Sequence, residues 1–182
     1  MADIRKELAE IGHRLFLEGL NHSHSGNLSI RQGDTVFITR TGSQCGFLTY
    51  ADIVGVNLNS SFQGLASMEY VVHRSIYLAT KAAAIVHCHS PHTVALSFNT
   101  DRIVPVDAEG KFYFREIPVL SVENAIASAE VAEKIPLLFQ NSPLVVVRSH
   151  GVFSSGKNLE EAYKFASSLE ASARIIMIQS KK

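Results

Sequence analysis

The 182-residue sequence contains no tryptophan and only two cysteines, Cys45 and Cys88. So few thiols exclude a disulfide-built scaffold, and two buried thiols are the expectation. No sign of charge predominates, since lysine plus arginine and aspartate plus glutamate each total 17. A balanced chain has no global field to attract nucleic acid or an acidic membrane surface, so any anionic ligand must be held locally. No apolar run approaches the roughly 20 residues that span a bilayer, and Met1 to Glu10 is charged and helix-like rather than signal-like. A soluble, cytoplasmic protein is expected. Repeats, low-complexity tracts and linkers are also missing. What is present is 46% hydrophobic residues, enough for one sizeable core, so a single domain over residues 1–182 is expected.

Apolar periodicity divides the chain into alternating helices and strands. Asp3 to Glu18 carries Ile4, Leu8, Ile11, Leu15 and Phe16 at helical spacing and stops at Gly19. Leu28–Arg31 and Thr35–Thr39 read as a hairpin across Gln32-Gly33-Asp34, with Ile53–Leu58 as a further strand. Ser67 is placed to cap a helix from Met68 to about Lys81, with Met68, Val71, Val72, Ile76 and Ala79 on one face. Ala84–His89 is a strand, Pro91–Phe98 a short helix, and Ile103–Val119 strand-like pieces around the turn-forming Asp107-Ala108-Glu109-Gly110. Ser121 is expected to cap a helix ended by Pro136. Leu144–Arg148 is a strand, Gly151 begins a turn, and Asn158-x-x-Glu161 starts a long helix towards Gln179. Such alternation predicts an α/β fold.

Within Ala84–His89, His87 and His89 are two apart and project from the same strand face, while Cys88 points to the other, apolar face. His150 follows a second apolar run, Leu144 to Val147. Three imidazoles at strand ends can supply three nitrogens to zinc or another divalent metal and leave a position open for chemistry. His13, His22, His24, His73 and His92 fall in helix-like or loop contexts and carry no such pattern. Glu69, near a helix start, reads either as a dipole-stabilising carboxylate or, beside a metal, as a ligand or general base. Gly26-Asn27-Leu28-Ser29 and Thr41-Gly42-Ser43 read either as ordinary turns or as loops whose N–H, hydroxyl and amide groups hold phosphate.

Taken in order, Gly26-Asn27-Leu28-Ser29, Thr41-Gly42-Ser43, Ser67-Met68-Glu69, His87-Cys88-His89 and Ser149-His150-Gly151 resemble the class II aldolase/adducin family along nearly the whole chain. The resemblance implies a three-layer α/β/α sandwich around a mainly antiparallel central sheet, and a homotetramer with active sites at subunit interfaces. It places zinc ligands on His87, His89 and His150, the catalytic acid/base on Glu69, and a phosphate pocket on Asn27, Thr41, Gly42 and Ser67, with Ser43 adjacent. The implied reaction is reversible cleavage of a ketose 1-phosphate, of the fuculose or ribulose type, to dihydroxyacetone phosphate and an aldehyde through a zinc-stabilised enediolate. Members with the same scaffold include methylthioribulose-phosphate dehydratases and pentulose-phosphate epimerases, and adducin-like domains are its non-enzymatic form. Two departures stand out. Met68 replaces the second serine of the family's Ser-Ser-Glu, and a tyrosine lent by a neighbouring subunit has no clear counterpart among Asp107, Glu109 and Tyr113.

Overall fold

A computed structural model describes residues 3–60 and 64–180. Its elements in chain order are α1 (Ile4–Leu17), β1 (Asn27–Gln32), β2 (Thr35–Thr39), β3 (Ile53–Asn57), α2 (Tyr70–Ala79), β4 (Ala84–Cys88) and α3 (Pro91–Ser97). There follow β5 (Arg102–Ile103), α4 (Ala108–Tyr113), β6 (Ile117–Leu120), α5 (Ala129–Leu138), β7 (Leu144–Val147), β8 (Gly151–Gly156) and α6 (Leu159–Gln179). Helix starts carry the chemistry that local sequence demands. Asp3 accepts from the N–H groups of Arg5 and Lys6 at the head of α1, and Asn158 accepts from the Glu161 N–H at the head of α6.

The strands form one sheet in the order β3-β2-β1-β4-β8-β7-β6-β5. Among the described residues its neighbours pair antiparallel except β6 and β7, which run parallel, so the sheet is mixed but mainly antiparallel, as expected. Period-two alternation sends Ala84, Val86 and Cys88 into a core with α1 and α6, while Ile85, Val145, Val147 and Phe153 enter a second core with α2 and α5. Helices on both faces complete the expected three layers and explain why β4 and β7, buried throughout, read as unbroken apolar runs. Cys45 and Cys88 are both free and buried.

Four local expectations are corrected. Ser67 does not cap a helix beginning at Met68. Glu69 is the cap residue, α2 begins at Tyr70, and Met68 and Ala79 are exposed. Ser121 caps nothing; Ser128 caps α5 by accepting from the Val131 N–H, and Pro136 lies inside that helix, where its missing donor affects only the last turn. The Asp107 to Gly110 turn is the start of α4, with Asp107 accepting from the Gly110 N–H. Finally, the segment after Gly151 is not a turn but strand β8, seated between β4 and β7 at the sheet centre. Its serines and flanking glycines hide it in sequence, because Ser154 meets its hydrogen-bonding need by donating to the Ala162 carbonyl at 2.7 Å.

The antiparallel β1–β4 register sets Asn27 opposite His87, and the β7–β8 turn delivers His150 to the same sheet end. Gly151 permits this approach, because a Cβ there would sit 2.5 Å from the Cys88 carbonyl oxygen.

Candidate active site

His87 is fully buried on β4, its ring stacked on Phe153 at a centroid distance of 4.0 Å. Its Nδ1 lies 3.0 Å from the Val152 carbonyl. A carbonyl only accepts, so Nδ1 carries the proton and Nε2 offers a lone pair. His89, just past the strand, brings its Nε2 to 3.2 Å from His87 Nε2. Two nitrogens bound to one tetrahedral zinc stand about 3.3 Å apart, so this separation matches one edge of such a site. Ser149, at φ +64°, turns the chain so that the His150 ring lies 4.7 Å from that of His87 and 4.9 Å from that of His89. One ligand atom from each histidine lies within 4.8 Å of the others.

Burial keeps these rings uncharged. It holds His87 well below the ordinary imidazole range, lowers His89 to about 4 and lowers His150, with the neighbouring imidazoles reinforcing the effect at His87 and His89. Neutral imidazole is the ligating form. Glu69 Oε2 is buried without a hydrogen-bond partner among the described residues, and the His150 ring has the Ala125 carbonyl beside it. An orphaned buried polar atom costs about 1–3 kcal/mol, so the donor set fits a divalent cation.

Glu69 is 5% exposed, and its Oε1 lies 3.7 Å from His150 Nε2. Burial raises its pKa to about 7, opposed by the Ala127 N–H that donates to Oε1 at 2.8 Å. Because Glu69 makes no capping bond to its own helix, its carboxylate is free to face the histidines.

All the residues expected from sequence to hold a ligand line one pocket: Asn27, Thr41, Gly42, Ser43 and Ser67 join Glu69, His87, His89 and His150. Their donors are not equally available. Thr41 donates its hydroxyl to the Ala66 carbonyl and Ser43 donates to the Arg40 carbonyl. The Gly42 N–H and the Asn27 amide nitrogen donate to nothing among the described residues, and Ser67 Oγ accepts from the Glu69 N–H, which leaves its own hydrogen free. Gly26 allows the first loop its path, since a Cβ there would strike the Asn21 amide at 2.3 Å.

The pocket also takes in residues that sequence reasoning passed over. His24, Arg40 and Ile126 line it, and Ala127 steadies Glu69 from a segment with no motif. His24 stands two residues before Gly26-Asn27, a usable signal; Ala127 offers none. Asp107, Glu109 and Tyr113 lie on or beside α4, outside this pocket.

An α/β/α scaffold with three convergent imidazoles and a buried carboxylate defines a metal-site enzyme of the aldolase type. The chain belongs to the family of the class II aldolase and adducin N-terminal domain, which matches residues 6–177. It is 28% identical to an L-fuculose phosphate aldolase of Methanocaldococcus jannaschii over 96% of both chains. The crystal structure of L-fuculose-1-phosphate aldolase from Thermus thermophilus overlays it with a TM-score of 0.94 at 35% identity, covering 97% of this chain and 94% of that one. A probable bifunctional methylthioribose-1-phosphate isomerase/methylthioribulose-1-phosphate dehydratase of Nocardia farcinica is 27% identical over 93% of this chain and 34% of its own length.

Proposed function

We propose that this chain, acting as one domain, is a zinc-dependent aldolase that reversibly cleaves a ketose 1-phosphate of the fuculose or ribulose type to dihydroxyacetone phosphate and an aldehyde. The carrying observation is the convergence of three neutral imidazoles with a buried carboxyl group beside a donor-bearing pocket. His87, His89 and His150 hold the metal. When bound, zinc supplies Lewis-acid stabilisation of the negative charge that develops as the carbon–carbon bond breaks, worth several kcal/mol. Glu69 moves the proton on the carbon that changes bonding partner, and a carboxyl group with a pKa of about 7 is available in both forms near neutrality. Asn27, Gly42 and Ser67 bind the phosphate through their free donors, while Thr41 and Ser43 shape the loop. Arg40 also lines the pocket, its guanidinium paired with Asp52 at 3.3 Å, and Met68 offers no hydroxyl where the family pattern has serine.

The reading includes a cytoplasmic homotetramer with interface sites. Leu65, Met68 and Ile126, each exposed, stand near or at the pocket mouth where a neighbouring subunit would cover them. No helix among the described residues is long and apolar enough to cross a membrane.

The test is metal analysis of protein purified without chelators, followed by incubation with fuculose and ribulose 1-phosphates and assay for dihydroxyacetone phosphate. Stoichiometric zinc and its product are expected; metal-free protein, or no cleavage of any sugar phosphate by metal-loaded protein, overturns the reading. The Nocardia relative supports a second reading, dehydration of methylthioribulose 1-phosphate, which would yield a diketone instead.

A further inference from the structure

His73 lies one turn after Glu69 on α2 and is wholly enclosed, yet the reaction just described leaves it no task. Both ring nitrogens are engaged at short range. Nδ1 is 2.7 Å from Ser29 Oγ, and Nε2 is 2.7 Å from Asn27 Oδ1. Ser29 Oγ is in turn 2.7 Å from the Tyr77 hydroxyl. Four side chains from β1 and α2 thus form one line, Tyr77, Ser29, His73, Asn27, ending at the pocket wall.

Hydrogen-bond direction along this line follows from its pocket end. Asn27 Oδ1 can only accept, so His73 Nε2 carries the proton and donates to it. Burial holds the imidazole neutral, its pKa lowered to about 3, so Nδ1 is a bare acceptor and the Ser29 hydroxyl donates to it. With its hydrogen so used, Ser29 Oγ accepts from the Tyr77 hydroxyl. With its oxygen turned inward, Asn27 presents its amide nitrogen to the pocket, where it makes no hydrogen bond among the described residues.

We propose that His73 is a positioning residue that fixes the Asn27 amide with both N–H groups facing the pocket, making it a donor to an anionic ligand. Reversed, the amide would present its oxygen and repel a phosphate. The inference rests on the phosphate role of this pocket and adds to it a reason why Asn27 works as a donor.

The experiment titrates metal-loaded protein with inorganic phosphate by calorimetry and follows the His73 tautomer by ¹⁵N NMR. His73→Leu should weaken phosphate binding roughly tenfold to a hundredfold, the size of a hydrogen bond to a charged group, with unchanged metal content. His73→Gln keeps one donor and one acceptor and should restore binding to within about threefold, an effect smaller than one good hydrogen bond. Ser29→Ala removes only the hydroxyl that selects the tautomer, and it should weaken phosphate binding and shift the His73 proton towards Nδ1. A purely structural role would change thermal stability without changing phosphate affinity. Phosphate binding by Ser29→Ala and His73→Leu equal to that of the parent, or a parent His73 protonated at Nδ1, overturns the relay alone. Failure of the parent to bind phosphate overturns the pocket reading and the relay with it.

Discussion

At Glu69 burial and one backbone hydrogen bond pull in opposite directions, and burial prevails. Glu69→Gln keeps the shape and still accepts from the Ala127 N–H, but it cannot carry a proton. It is expected to retain the metal and lose turnover by about 10²–10⁴, the usual worth of a positioned acid/base; metal analysis and steady-state kinetics check both halves. His89→Ala removes a ligand nitrogen, so metal and activity should both be lost. These two residues were legible in sequence to different degrees. The histidine pair shows through because a strand has period two, a purely local rule. Glu69 was ambiguous because its functional neighbours, His150 and Ala127, come from distant segments. His73 carries no local sequence signal for the same reason, as its partner Asn27 lies 46 positions away.

Among the elements, α5 offers a direct contrast between two serines. Ser128 accepts from the Val131 N–H, whereas Ser121 is exposed and caps no helix. Ser128→Ala should cost about 1 kcal/mol and Ser121→Ala far less, measured as a shift in denaturant midpoint at constant slope. Strand β8 carries a second prediction. In Gly151→Ala the new methyl group meets the Cys88 carbonyl at 2.5 Å, a contact with backbone that cannot move aside. A destabilisation of about 1–3 kcal/mol is expected, together with weaker metal affinity, because the same displacement moves His150 away from His87. Element existence was readable wherever apolar periodicity was strong, as in α1 and α6. It failed at β8 and α4, both read as turns, while α5 was expected with other bounds; β8 is set by pairing with β4 and α5 by packing on α2.

For the molecule as a whole, the buried titrating groups predict how stability varies with pH. His73 and His89 have folded values of about 3 and 4, below the ordinary 6.5, and His87 too is held well below it. The unfolded chain therefore binds more protons than the folded one below pH 6.5, and stability contributed by these rings is full above that point and lost as pH falls. Glu69 acts in the opposite sense between 4.5 and about 7, since its folded form holds the proton, but it stands against four lowered imidazoles, His150 among them. Thermal midpoints should fall from pH 7 towards pH 4. Chelator-treated protein should start lower, by the lost metal linkage, yet keep the acid slope because His73 lies outside the metal cluster. A flat profile in the chelated protein would contradict this.

By itself the sequence determined the α/β alternation, the starts of α1 and α6 and the histidine spacing, because capping and periodicity act over a few residues of covalently connected chain. It also carried, in the order of five short motifs, the family to which the chain belongs. Only the tertiary structure decided that β8 runs between β4 and β7, that Glu69 faces His150, that Thr41 and Ser43 turn their hydroxyls inward, and that His73 reaches Asn27. Those relations join residues from separate segments, and they exist only once sheet register and two covering helix layers have brought the segments together.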